Sequence, residues 1–482
     1  MATVAVVSFT DPRRTAMLEE REAYNKECHR WLISELTSRG FEVIDGNADF
    51  SNREFFGVAT LEDVKMIIPK IRDAEAIVAG CWHWTDMMAI ISLVRDLAKP
   101  IALFTRDNPA WAGVTCVSSA GASLWESSAN EYMTTHERFI DDVEELAKWL
   151  RGVSALERLK RSTLILFGGS YCLHMEHLRD DLPFLKTFLV GEIDEESEYL
   201  IIKNAEKIDP RRVDAFLEWF RENGGIIKYG GILDEASLRK QVALYLATKD
   251  IVNKYNDVVG ISIRCQPELS EVYGVTGCLI PAFMPYHEDS EGRKRVIPTV
   301  CEGDVKGLIT SALLYLITGE PPLFGDLKYV DDGLIVIANC GASSVYHACH
   351  SYNVKECLSK VSFQSQCQGS AGAAVTYRTP PSVMTVCRLA RIGGRYVMQI
   401  ALGNARKVSE TDEKSLKWGA TWPHTFIEIL ATKDEIISTV ASNHFVAVTG
   451  DVTAEVEYAC NLAGIDVEWI GSPPIEMEEM ET

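Results

Sequence analysis

The chain has 482 residues, 47% of them hydrophobic and 24% charged. It is too long for one ordinary core and has the composition of a globular protein, not a disordered or fibrous one. A formal net charge of −21 repels phosphate backbones and anionic bilayers, so neither nucleic acid nor a membrane is expected as a partner.

The opening MATVAVVSFTDPRR carries a short apolar run without a basic lead-in and reads as a first β-strand, not a signal peptide. No stretch approaches the roughly 18 apolar residues that cross a bilayer, so a soluble, cytoplasmic chain is expected. The 13 cysteines are odd in number and include no CxxC pair. In a reducing compartment this predicts buried thiols, Cys340, Cys357, Cys367 and Cys387 among them, and no disulfide framework.

Short apolar runs at 4–9, 41–44, 76–80 and 101–105 predict strands, with helical patterns such as 16–38 and 61–72 between them. Strand–helix alternation with continuous apolar strands predicts a parallel sheet covered on both faces. The pattern restarts after LERLKRS (156–162): strands are expected at 163–167, 199–202, 226–229 and 258–263, and helices at 211–223 and 234–255. Beyond about residue 325 long helices become scarce. Segments 334–338, 382–389, 396–400, 425–430 and 445–448 read as strands, followed by one late helix near 454–462 and an acidic tail, EMEEMET, expected to fray. The expected fold is therefore α/β: two tandem doubly wound parallel-sheet domains, 1–160 and 161–325, followed by a β-rich C-terminal domain, 326–482.

The segment TVCEGDVKGLITSALLYLITGEPPLFGDL is the most informative. A helix is expected over 305–317, stopped by Gly319 and Pro321. Glu302 and Asp304 stand at its start, where the dipole favours anions, and Asp326 follows the return loop. Two carboxylates so placed can face one cleft and suit a hard divalent cation; acidic residues at a helix start are also ordinary caps. Farther on, TWPHTF and SNHFVAVTGD offer His424 and His444 as candidate ligands, His444 at a strand entrance, and Trp422 as an apolar face that could stack on a sugar ring. A lone histidine is more often structural.

Several other groupings compete for attention. His174, Glu176 and His177 in GGSYCLHMEH could make a metal site on one helical face, although a helix start is the plainer reading. Gly168 and Gly169 follow a strand but match neither GxGxxG nor a P-loop. His347, Cys349 and His350 fit no standard zinc spacing. Arg378 lies in a glycine-rich loop.

The motifs CEGDVKGLIT, EPPLFGDL, TWPH and NHFVAVTGD with the following GIDV, in that order, resemble the L-fucose isomerase family and its L-arabinose isomerase-type relatives. The resemblance implies a metal bound by Glu302, Asp326 and His444, with the two carboxylates also serving as acid/base groups. The expected ion is Mn²⁺ or another divalent cation such as Mg²⁺ or Co²⁺. It further implies sugar contacts from Gln266 in RCQPEL and from Met175, and a role for the Trp82–Trp84 region of GCWHWTD in completing a neighbouring subunit's site within a homo-hexamer. IVIANCGASS lacks the extra metal histidine of the L-arabinose enzymes, which favours the three-ligand, fucose-type site. The implied activity is metal-dependent aldose–ketose isomerisation of a pentose or 6-deoxyhexose (L-fucose, D-arabinose or L-arabinose type) through a cis-enediolate. The alternatives are a non-catalytic sugar-binding protein, which tandem α/β units also describe, and a related metal-dependent epimerase or lyase.

Overall fold

In a computed structural model residues 1–473 are described; the acidic EMEEMET segment lies outside them. Packing divides the chain into two units, Met1–Arg158 with Ala454–Gly464, and Leu159–Thr453 with the segment from 465 onward.

The first unit is built on strands β1 (Thr3–Ser8), β2 (Glu42–Asp45), β3 (Ala76–Gly80), β4 (Ile101–Thr105) and β5 (Glu137–Ile140), in the order β2-β1-β3-β4-β5 and all parallel. The helices Leu18–Ser38, Leu61–Ile71, Met87–Leu97 and Gly113–Glu126 connect them. Every residue of β3 and β4 is buried, which is why these strands read as unbroken apolar runs. Within the same unit the late helix Thr453–Ala463 contributes Glu455 to an ion pair with Arg151 (3.1 Å) and Tyr458 to a hydrogen bond with Glu145 (2.6 Å).

The second unit opens with another parallel sheet: β6 (Thr163–Phe167), β7 (Glu192–Glu196), β8 (Val258–Ile263) and β9 (Thr299–Cys301), ordered β9-β8-β6-β7. Two expected strands fall elsewhere. Residues 199–202 lie in the helix Glu198–Ala205, because Ser197 caps it by accepting from Tyr199 N, and of the YLII run Ile201 and Ile202 pack against the core while Tyr199 and Leu200 stay exposed. Of 226–229, only Ile226–Ile227 is strand, and it pairs with Ser362–Ser365 in a separate three-stranded sheet. A short apolar run has no period long enough to separate a strand from a buried helix turn.

The C-terminal sheet of this unit comprises β10 (Leu323–Asp331), β11 (Leu334–Ala338), β12 (Ser382–Ile392), β13 (Arg395–Arg406), β14 (His424–Ile429), β15 (His444–Thr449) and β16 (Asp466–Trp469). Its order is β12-β15-β10-β11-β14-β13-β16, and the β12–β13 hairpin pairing joins the two sides into a closed ring with β16 added outside. The fold is thus α/β, with parallel-sheet domains and a β-rich C-terminal sheet. Closure removes the free edges that an open antiparallel sheet would expose.

The cysteine expectation needs three corrections, the first being that Cys340 is only partly buried. Cys349 and Cys357 form a disulfide, with Cα atoms 5.1 Å apart, and Cys367 is exposed. Sequence spacing carries no signal for the turn that brings 349 and 357 together. No helix of the described residues is long and apolar enough to cross a membrane.

Candidate functional site

β9 ends at Cys301 and the chain turns sharply into the helix Val305–Thr318. The turn is strained: Glu302 has φ +66°, a conformation that non-glycine residues rarely adopt. Gly303 shares that φ, and a Cβ there would come within 2.4 Å of Tyr171 N, so the glycine of CEGD is sterically required. The turn is tied down by Glu302 N donating to Ile263 O and by Tyr171 N donating to Gly303 O, each 2.8 Å. Asp304 then caps the helix by accepting from Gly307 N at 2.8 Å.

Asp326 and His444 come from adjacent antiparallel strands, β10 and β15, and are direct cross-strand partners in the register. Cross-strand partners share a face of the sheet, so both side chains meet Glu302. His444 Nε2 lies 3.2 Å from Glu302 Oε2 and 3.5 Å from Asp326 Oδ1. Its other nitrogen, Nδ1, is 2.9 Å from Asp304 Oδ2. Arg388 Nη1 donates to the same Asp304 oxygen, and all of Asp304, Arg388 and His444 are buried.

The electrostatics follow from this burial. For Asp304, desolvation is outweighed by the Arg388 charge and the His444 hydrogen bond, which together hold its carboxyl well below the usual range. Burial also opposes charge on His444, yet the hydrogen bonds to Asp304 and Glu302 prevail and lift the imidazole to about 10. Asp326 is pushed up by burial, against the pull of His444, with the like charge of Glu302 adding to the rise. Asn443 Nδ2 donates to Asp326 Oδ1 at 2.9 Å and its amide oxygen faces His177 Nε2 at 2.9 Å.

As these side chains stand, no group of three or more His, Cys, Asp or Glu among the described residues is arranged to hold a metal ion; here the carboxylates close on the imidazole itself. The donor types, two carboxylates and an imidazole, are those that suit a divalent ion. Two ligand atoms at right angles around a small hard cation lie on the order of 3 Å apart, close to the 3.2 and 3.5 Å separations seen here. A metal-binding imidazole also characteristically gives its second nitrogen to a carboxylate, the part Asp304 plays.

Glu302 and Asp326 open onto a cleft of about 370 Å³ whose wall also includes Met175, Lys328, Trp418 and Trp422. Trp422 is held edge-on to Trp418, ring centroids 4.6 Å apart, and its Nε1 donates to Gln366 Oε1 at 2.9 Å. Gln266 does not line this cleft. It borders a small adjoining void, with Cys340 common to both walls. Trp82 belongs to the first unit, where it is buried and its Nε1 donates to Ser8 Oγ at 2.8 Å, while Trp84 is exposed.

Several competing residues have other occupations. His424 Nδ1 bonds the Trp422 carbonyl at 2.8 Å, and His347 Nε2 bonds the Pro321 carbonyl at 2.8 Å. Arg378 pairs with Glu413 beside a different cleft. His174 and His177 do not share a helical face: His174 has φ +61° and only Glu176–Leu178 forms a single 3₁₀ turn. Sequence reasoning gave no role to Lys328, Arg388, Trp418 or Asn443. Asp304 was visible only as a cap.

The segment 337–470 matches the family model for the L-fucose isomerase C-terminal domain. The likeness to L-fucose isomerase therefore rests on this C-terminal segment. A curated relative, sulfoquinovose isomerase of Clostridium sp. (strain MSTE9), is 30% identical over 105 residues, which is 21% of this chain and 22% of that protein. The match therefore spans about a fifth of the relative's length. His444 and Trp422 lie inside the matched domain; Glu302 and Asp326 precede it.

Proposed function

We propose that this L-fucose isomerase-like chain is a metal-dependent aldose–ketose isomerase acting on a pentose or 6-deoxyhexose of the L-fucose, D-arabinose or L-arabinose type. The observation that carries the reading is the meeting of Glu302, Asp326 and His444 at one cleft wall, with the imidazole fixed from behind by Asp304. The domain match and the relative named as a sugar isomerase support it.

Glu302, Asp326 and His444 would hold the ion, Mn²⁺ or another divalent cation such as Mg²⁺ or Co²⁺. When bound, it would supply Lewis-acid polarisation of the sugar carbonyl and offset negative charge on the neighbouring oxygen. The chain's own residues do the rest. His444 would hold the ion through an unprotonated Nε2, with Asp304 keeping the ring oriented through Nδ1. The carbonyl moves from C1 to C2 when a carboxylate takes a proton from C2 and returns it to C1 and a second group relays the hydroxyl proton. Glu302 and Asp326 flank one site and can divide those tasks, a contribution on the order of 10²–10⁴-fold. Trp422 and Met175 offer an apolar wall to the open-chain sugar.

The acidic chain, with a net charge of −21, works on a small-molecule substrate without nucleic acid or membrane, in the cytoplasm and as a homo-hexamer; within the Trp82–Trp84 region it is the exposed Trp84 that a neighbouring copy's site can reach. The test is aldose-to-ketose conversion by protein stripped with EDTA and then resupplied with Mn²⁺. Conversion should vanish and return, and Glu302→Gln should stay at least about 10³-fold slower with the ion present. Full activity in metal-free buffer refutes the reading.

A further inference from the structure

Three consecutive residues of β10, Asp326, Leu327 and Lys328, line the cleft. A regular strand sends successive side chains to opposite faces, so three in a row require a break in the ladder. The break is present: the register against β11 shifts between Leu327 and Tyr329. Lys328 is the extra residue of this bulge, a device that re-aims a side chain where a sheet borders a site.

The bulge delivers the lysine into an aromatic corner. Its nitrogen lies 4.4 Å from the Trp418 ring centroid and 5.4 Å from that of Trp422. Two ring faces restrain a long, flexible stem and strip part of its water, while leaving the N–H donors free for another partner. It is the one cationic side chain among the residues lining the cleft. Lys328 has no salt bridge to a carboxylate among the described residues, although Asp326 is near enough to feel its charge.

The charge count then asks for an anion. On the isomerase reading, on which this inference rests, a divalent ion balances Glu302 and Asp326, and the Lys328 charge remains unmatched in a cleft of about 370 Å³. A neutral pentose or 6-deoxyhexose would leave it so; with the isomerisation kept, an anionic aldose in place of that neutral substrate class would not. We propose that Lys328 with Trp418 and Trp422 forms a subsite for an oxyanion, a sulfonate or a phosphate, carried on the sugar remote from its carbonyl. The ammonium would donate to the anion's oxygens in charge-assisted hydrogen bonds. The tryptophans would hold it in place beforehand, which lowers the ordering cost of binding.

The test uses the full chain with Mn²⁺ and three aldoses: glucose bearing a C6 sulfonate, glucose 6-phosphate and L-fucose. Binding is read by calorimetry and turnover by ketose formation, for the wild type, Lys328→Met and Lys328→Arg, each checked for an unchanged thermal melt. At least one anionic aldose should be preferred by the wild type. Lys328→Met should weaken its binding and its kcat/KM about 10-fold to 100-fold, the scale of one hydrogen bond to a charged group, and at least about 10-fold more than it weakens those for L-fucose. Lys328→Arg should restore most of the loss. Which of the two anionic aldoses responds identifies the oxyanion. Equal effects of Lys328→Met on charged and neutral sugars, or a wild type that prefers L-fucose, overturns the subsite and leaves the isomerase standing. Lys328-dependent binding of an anionic aldose without turnover of any sugar overturns the isomerase and keeps the subsite. Neither binding nor turnover overturns both.

Discussion

Asp304 shows how much one carboxylate can organise. It caps a helix through Gly307 N, pairs with Arg388 and fixes His444 Nδ1, so helix start, buried charge and ligand orientation share a single side chain. In sequence it reads only as a cap, because the partners that give it the other tasks lie 84 and 140 positions away. That Glu302, Asp326 and His444 meet in space was an expectation carried by their motifs, since short runs such as CEGD and FGDL keep their residue types together. Lys328 was not, because a bulge leaves no mark in residue types. Glu198 offers a test at this scale. Burial and the nearby Glu268 charge, partly offset by Arg264, raise its carboxyl from 4.5 to about 9, and neither oxygen has a hydrogen-bond partner among the described residues. The folded chain thus keeps a proton that the unfolded chain releases. The contribution to stability is fully present below about pH 4.5 and is lost as pH rises to about 9. Glu198→Gln should flatten that decline and exceed the wild type by about 1–3 kcal/mol at pH 9, measured by urea unfolding at pH 5, 7 and 9. A wild-type slope unchanged by the substitution would show that Glu198 is not the group responsible.

At the scale of elements, the turn after β9 and the β10–β15 pairing carry the site. The turn puts Glu302 at φ +66°, and the pairing sets Asp326 opposite His444. Gly303→Ala would place a Cβ against Tyr171 N in a backbone region that favours glycine. It should cost about 2 kcal/mol or more and lower turnover together with stability, because the Tyr171 loop leads to Met175 on the cleft wall. Paired denaturation and activity assays check this, and a variant with wild-type stability would show that the turn yields. Element boundaries that sequence reading placed well, such as the helix Val305–Thr318 and the strand Leu334–Ala338, have long apolar periods or clear stop residues. The failures at 199–202 and 226–229 are short apolar runs, whose identity depends on a cap at Ser197 or on a distant strand at Ser362–Ser365.

At the scale of the molecule, parallel-sheet grammar twice over and then a β-rich end were readable from the spacing of apolar runs. Ring closure was not, since it depends on which strands pair across long gaps, as β10 does with β15. Assembly belongs to this scale too. The proposed homo-hexamer predicts a solution-scattering mass about six times the 53.7 kDa of one chain. A monomer that still turns over sugar would remove the shared-site role given to Trp82 and Trp84.

By itself the sequence determined the fold class, many of the strands and helices, and the motifs that carry Glu302, Asp326 and His444, because periodicity and motif chemistry are local properties of the chain. Only the tertiary structure decided that His444 is clamped by Asp304, that Lys328 turns into the cleft against two tryptophans, and that Gln266 borders a different void. Those facts depend on register, burial and long-range pairing, and the energies that set them arise only when residues far apart in the chain are brought out of water together.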